Sequence, residues 1–247
     1  MDKLVYIAMS GAKENMLAQQ AHANNLANAN TTGFKADLEQ ARSMQVFGDG
    51  FASRVYTQSE RPATDRTAGT FMQTGRDLDV AVDGDGWLAV IGPNGTEGYT
   101  RGGELQINAA NQLVTGSGLP VMGNGGVPIV IPPAEKIDIG SDGTITIRPL
   151  GEAAAEIAIV DQLKLVTLDP EASFKGTDGL MYADDLAVQP QDLNVRVRSG
   201  YLETSNVNAV SEMTSVITEA RQYEMNIRMM KTAEEVAASA TSILSLS

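Results

Sequence analysis

The chain has 247 residues, 43% of them apolar, enough for one large or two small domains with a real core. Its formal net charge of −13 argues against nucleic acid and anionic membrane as partners, because both attract a basic face. With no cysteine and a single histidine, it lacks the means for disulfides, thiolate chemistry, zinc clusters or a Ser-His or Cys-His pair.

The N-terminal stretch reads as a helix. Val5, Met9, Ala12, Met16, Ala23 and Leu26 follow an alternating four-three ladder in which only Gln19 is polar. Leu4 to Ala12 is apolar and Ala21-His22-Ala23 looks like a cleavage site, but Met1-Asp2-Lys3 is scarcely basic, and Lys13 and Glu14 interrupt the run. A cleaved signal is therefore not expected. No stretch approaches the ~20 apolar residues of a membrane span. The helix is expected to stop where Asn28, Asn30, Thr31 and Thr32 compete for backbone hydrogen bonds. Gly33 then supplies a turn, expected to be left-handed, and Phe34 an anchor beyond it.

Residues 34–70 read as a connector. Asp37 to Met44 is expected to continue helically, whereas Gly48-Asp49-Gly50 and the polar run Thr57 to Gly69 read as irregular. Twenty-two of the 24 glycines and all nine prolines lie between residues 48 and 200, which separates a sheet-forming interior from helical ends. From Phe71 the period becomes two. Leu78 to Val82, Trp87 to Ile91, Leu105 to Ile107, Ile129 to Ile131, Ile137 to Ile139, Thr144 to Ile147, Leu163 to Leu168 and Val195 to Val197 are candidate strands. Asn94-Gly95 and Asp142-Gly143 suit tight hairpins. Trp87 is expected in the core, and Gly103 in a surface hairpin that tolerates alanine.

Thr204 to Ser247 contains neither glycine nor proline. Ala209, Met213, Val216, Ala220, Tyr223, Ile227, Met230, Ala237 and Leu244 fall on the same kind of ladder, with Glu234 and Thr241 as polar rungs, predicting a helix roughly 55 Å long. The two end helices are expected to pair along these ladders. Seams rich in alanine and methionine bury little, so further neighbours in an assembly are also expected. The expected fold class is α+β: N- and C-terminal coiled-coil helices (1–33 and 204–247), a connector (34–70) and a central antiparallel β domain (71–203).

Motifs with chemical potential do not hold. Gly84-Asp85-Gly86-Trp87-Leu88-Ala89 fits a dinucleotide pattern, but a strand follows where a helix N-terminus would be needed. Asp83 and Asp85 resemble part of a calcium loop whose third ligand position is Trp87. Asp77 with Asp79 and Asp184 with Asp185 read as solvated acids. No catalytic, cofactor-binding or metal-binding residue is assigned.

The run Asn25-Leu26-Ala27-Asn28-Ala29-Asn30-Thr31-Thr32-Gly33-Phe34-Lys35 resembles the N-terminal signature of the bacterial flagellar rod and hook proteins. Glu203-Thr204-Ser205-Asn206-Val207-Asn208 resembles their C-terminal signature. The opening Met1-Asp2-Lys3-Leu4-Val5-Tyr6-Ile7-Ala8-Met9, the central DGDGWLAV of 83–90, GYTRGG of 98–103 and the ending Leu244-Ser245-Leu246-Ser247 extend the likeness over nearly the whole chain. They lean it toward the proximal-rod branch, because Trp87-Leu88 departs from the aromatic pair of the distal-rod branch.

The resemblance implies a structural subunit of a helical rod that passes torque, with no cofactor, no nucleic acid and no membrane insertion. Its partners would be further copies and the other proximal- and distal-rod subunits, in a periplasmic basal body reached by type III export. Segment 34–70 would pack between subunits, and the terminal helices would order on assembly. The expected assembly interface comprises Met9, Ala12, Met16, Ala23, Leu26, Asn28, Gly33, Phe34, Ser205, Asn206, Asn208, Met213, Val216, Ala220, Tyr223, Ile227 and Met230. Two other classes compete: a secreted coiled-coil fibre or adhesin with a ligand-binding β domain, and a carboxylate glycosidase carried on a coiled coil. An adhesin has no reason to carry the two terminal signatures, and 5% aromatic residues leaves few sugar platforms.

Overall fold

A computed structural model describes residues 2–39, 41–45, 55–59, 63–150 and 157–245. The chain forms two compact units: Met1–Ala29 with Ala36–Asp65 and Val207–Ser247, and Asn30–Lys35 with Arg66–Asn206. Helices and strands are both present, so the class is α+β.

In the first unit, α1 (Asp2–Ala27) and α2 (Ala209–Ser245) pack against each other, accompanied by β1 (Asp37–Leu38), β2 (Ala41–Gln45), β3 (Val55–Ser59) and β4 (Ala63–Thr64). α1 ends at Ala27, where the stop was expected: Asn28 turns its side-chain nitrogen back to the Asn24 carbonyl at 2.9 Å. α2 starts later than expected, at Ala209. Asn208 Oδ1 accepts from the Val210 and Ser211 amides at 3.1 and 3.2 Å, which makes Asn208 its N-cap.

The helical continuation expected over 37–44 is not present. Ala41 to Gln45 instead pairs antiparallel with Val55 to Ser59, whose Val55, Tyr56 and Thr57 favour a strand, and β1 pairs with β4. Gly48-Asp49-Gly50 lies outside the described residues, as do 60–62 of the polar run.

The helices pair antiparallel, with His22 opposite Glu212 and Gly11 against Asn226. They do not meet along the expected ladders. Met9, Met16, Met213 and Ile227 are 53%, 62%, 54% and 40% exposed, and Ala23 and Tyr223 also face outward. Leu26, Val216, Ala220 and Met230 are half-buried, and only Ala12 of the set is buried. The side chains of Ala237 and Leu244 lie outside the described residues. The contact is instead set by small residues: Ala8 and Ala12 are buried, and a methyl group at Gly11 would come within 3.1 Å of the Asn226 side chain. Small side chains allow the axes to approach, and the larger ladder residues are left on other faces.

The second unit holds β5 (Phe71–Gln73), β6 (Val80–Asp83), β7 (Gly86–Ile91), β8 (Glu97–Thr100), β9 (Leu105–Ile107), β10 (Leu113–Thr115), β11 (Ala134–Ile139), β12 (Thr144–Pro149), β13 (Ala158–Gln162), β14 (Leu165–Thr167), β15 (Ser173–Lys175), β16 (Met181–Ala183), β17 (Arg196–Ser199) and β18 (Tyr201–Glu203). β14-β7-β8-β16-β15 form its largest sheet and β11-β12-β13 a second; β9 pairs with β10, β6 with β17 and β5 with β18. β7, an interior strand between β14 and β8, is apolar on both faces. Leu88 and Val90 enter the main core with Leu105, Ile129, Ile145 and Leu165, while Trp87 and Ala89 join Tyr99, Val166 and Met181 on the other side. Ile129 and Ile131 are buried, yet this stretch makes a single bridge rather than a strand, because Pro128, Pro132 and Pro133 cannot donate to a ladder. Gly95 and Gly143 take φ of 76° and 84° at the two expected tight turns.

Candidate functional site

The two motifs from opposite ends of the sequence meet in the second unit. Glu203, the last residue of β18, is fully buried. Its Oε1 accepts from Lys35 Nζ at 2.6 Å and from the Gly69 amide at 2.9 Å, and its Oε2 accepts from Arg101 Nη1 at 3.0 Å. Lys35 and Arg101 are each 3% exposed. Lys35 also donates to the Thr67 carbonyl at 2.7 Å, and Arg101 to the carbonyls of Val82 and Gly84. The Arg101 guanidinium lies 5.2 Å from the Trp87 ring centroid, a cation–π contact. One carboxylate thus serves two cations, and carbonyl oxygens of Thr67, Val82 and Gly84 take up further donors, while the Arg101 Nε stays buried without a hydrogen-bond partner.

Local geometry fixes these three groups. Gly33 has φ of 69°, as expected, and its amide donates to the Glu203 carbonyl at 2.8 Å. A β-carbon there would sit 2.2 Å from the Arg101 carbonyl carbon, so the site requires glycine for two reasons. Phe34 lies beneath Lys175, whose Nζ is 3.8 Å from the ring centroid and donates to the Lys35 carbonyl at 2.7 Å. Asn206 donates its backbone amide to the Phe34 carbonyl and its side-chain amide to the Thr67 carbonyl at 3.3 Å. Thr204 Oγ1 accepts from the Thr70 amide at 3.1 Å.

Of the residues expected at an interface, Gly33, Phe34 and Asn206 are brought together here, with Ser205 beside them in the chain and half-buried. Asn28 and Asn208 end and cap helices, and the ladder residues belong to the first unit. Sequence reading missed Lys35, Arg101 and Glu203 as a buried trio, although all three stand inside the quoted motifs. It also missed Asn25, which is 1% exposed. Its side-chain amide donates to the Asp37 carbonyl at 2.9 Å and its Oδ1 accepts from the Asp37 amide at 2.8 Å, imitating a strand partner in the first unit. Gly103 is corrected as well: it is buried, and a β-carbon there would lie 1.7 Å from the Val80 carbonyl oxygen, so it is no surface hairpin.

Chemically the trio is a closed clasp. Both Glu203 oxygens are bonded, and no part of it is exposed to a substrate. Burial pushes the Tyr99 hydroxyl far up, and burial with the Asp178 hydrogen bond pushes Tyr182 up to about 12, so neither is a phenolate near neutral pH. Asp83 pairs with Arg198 at 2.8 Å.

The chain matches three family descriptions. Residues 5–35 match "Flagella basal body rod protein", 81–147 "Flagellar hook protein FlgE/F/G D1 domain" and 198–243 "Flagellar basal body rod FlgEFG protein C-terminal". It is 40% identical to the flagellar basal-body rod protein FlgF of Escherichia coli strain K12 and 39% to that of Salmonella typhimurium strain LT2, over the full length of both chains in each case. It is 33% identical to the flagellar basal-body rod protein FlgG of Agrobacterium fabrum, over 93% of this chain and 96% of that one. The chain belongs to the flagellar basal-body rod proteins, in their FlgF branch.

Proposed function

We propose that this chain is a structural subunit of the proximal rod, a non-enzymatic part of the helical shaft in the flagellar basal body that carries torque toward the hook. The full-length likeness to FlgF supports the rod assignment. The observation that carries the mode of assembly is the set of large apolar side chains left uncovered on both terminal helices, Met9 and Met16 on α1 and Met213, Ile217 and Ile227 on α2. A lone helix pair gains nothing from displaying them, whereas a tube of packed helices would bury them at ~25 cal/mol per Å².

In this reading α1 and α2 join neighbouring subunits as coiled-coil elements, Gly33, Phe34, Ser205 and Asn206 hold the chain at the motif junction, and the β unit makes lateral contacts. The partners are further copies, the proximal-rod proteins FlgB and FlgC, and the distal-rod protein FlgG. The location is the periplasmic basal body, reached by the flagellar type III route. Among the described residues no helix is long and apolar enough to cross a membrane.

The test is Met213→Asp with Ile227→Asp in a strain lacking the native subunit. Both positions are exposed in the single chain, so the purified variant should fold normally, yet rods should stop short of the distal segment and swimming should be lost. Normal swimming and normal basal bodies by electron microscopy would exclude these helices as the assembly surface.

A further inference from the structure

The helix pair contains an acidic group that its own packing does not neutralise. Glu39, just after β1, is influenced by Glu14 of α1 and Glu219 of α2, and also by His22 of α1, which is held by Glu212 of α2 at 2.6 Å. Glu14 is only 8% exposed. One oxygen of Glu14 and one of Glu39 are buried with no hydrogen-bond partner. Among the described residues, no group of three or more histidines and carboxylates is arranged to hold a metal ion. Two ionised carboxylates with buried, unbonded oxygens repel in a medium that screens poorly, whereas one proton converts an acceptor into a donor and removes the repulsion.

We propose that Glu39, beside the buried Glu14, takes up a proton when α1 and α2 close on it, so that helix pairing is tighter in mildly acidic than in alkaline solution. Burial first, then Glu14 and Glu219, hold the Glu39 carboxyl above the ordinary glutamate range, while His22 opposes them. A raised carboxyl in the folded state contributes stability that is fully present below the ordinary value of about 4.3 and is lost as pH rises through the raised one.

The test uses the full chain, with helix content and its melting midpoint read by circular dichroism over a pH series from the ordinary glutamate value of about 4.3 up to about pH 8. The wild-type midpoint should be several degrees higher at the lower pH. Glu39→Gln and Glu14→Gln should each flatten that difference and raise the alkaline midpoint, and if one variant fails to fold the other decides. His22→Gln should leave the difference in place. A wild-type midpoint indifferent to pH overturns the proposal. So does a difference that survives in both glutamine variants.

Discussion

Glu203 and Lys35 are 168 residues apart in the chain, and their charged atoms meet at 2.6 Å with both side chains buried. Arg101 joins the same carboxylate from a third segment, so removing the anion leaves two buried cations facing each other. Glu203→Gln keeps the shape and removes the charge, and should cost about 3–5 kcal/mol. Lys35→Met leaves a one-to-one pair with Arg101 and should cost less. Urea unfolding followed by the fluorescence of Trp87 measures both, and equal losses would show that charge balance is not what the trio provides.

The glycines supply a graded test. Gly95 has a left-handed backbone with open space around it, so Gly95→Ala should cost on the order of 1 kcal/mol. Gly33→Ala adds a clash with the Arg101 backbone to the same strain, and Gly103→Ala meets the Val80 carbonyl oxygen. Both should cost clearly more than Gly95→Ala in thermal unfolding. Three equal midpoints would mean that these close approaches relax freely.

What the sequence revealed and what it hid have separate causes. The helices were legible because apolar residues recur at four-three spacing in both and α2 has no glycine or proline, but their contact face was not. A ladder selects the largest apolar residues, whereas Ala8, Gly11 and Ala12 set how near α2 can come. Thr144 to Ile147 announced itself by β-branched alternation. The strand Glu97-Gly98-Tyr99-Thr100 did not, since it owes its conformation to pairing with β7 and β16 rather than to its own composition. Lys35 and Glu203 stood only as members of two separate signatures, because their partnership exists only once distant segments are brought together.

At the β11–β12 turn, Asp142 accepts from the Thr144 amide at 3.0 Å and from its hydroxyl at 2.7 Å. The backbone bond, followed by the hydroxyl bond, holds the Asp142 carboxyl below the ordinary range. A depressed carboxyl contributes stability that is present above the ordinary value of about 3.9 and is lost as pH falls through the depressed one. Asp142→Asn should therefore melt below wild type at neutral pH, with the gap closing as the solution is acidified. A gap that stays constant with pH would dissociate the turn from this charge.

The N-cap of α2 can be tested alone. Asn208→Ala removes the acceptor for two helix amides and should cost about 1 kcal/mol, seen as lost helical circular dichroism while Trp87 fluorescence stays unchanged. Unchanged helicity would mean that neighbouring groups or water satisfy those amides equally well.

The clasp between Lys35 and Glu203 also bears on the order in which the chain can fold. Bringing these positions together across 168 residues of free chain carries a loop-closure entropy of about 4.5 kcal/mol plus a constant, set against pairing α1 with α2 if the helices had to find each other first. Once the strands have joined the two positions, α1 and α2 extend from chain segments already tethered, and what remains is a short-loop closure. The β body is thus positioned to fold early and to act as an entropic template for the helices. A substitution at Glu203, outside both helices, should slow helix pairing in refolding kinetics as well as lower equilibrium stability.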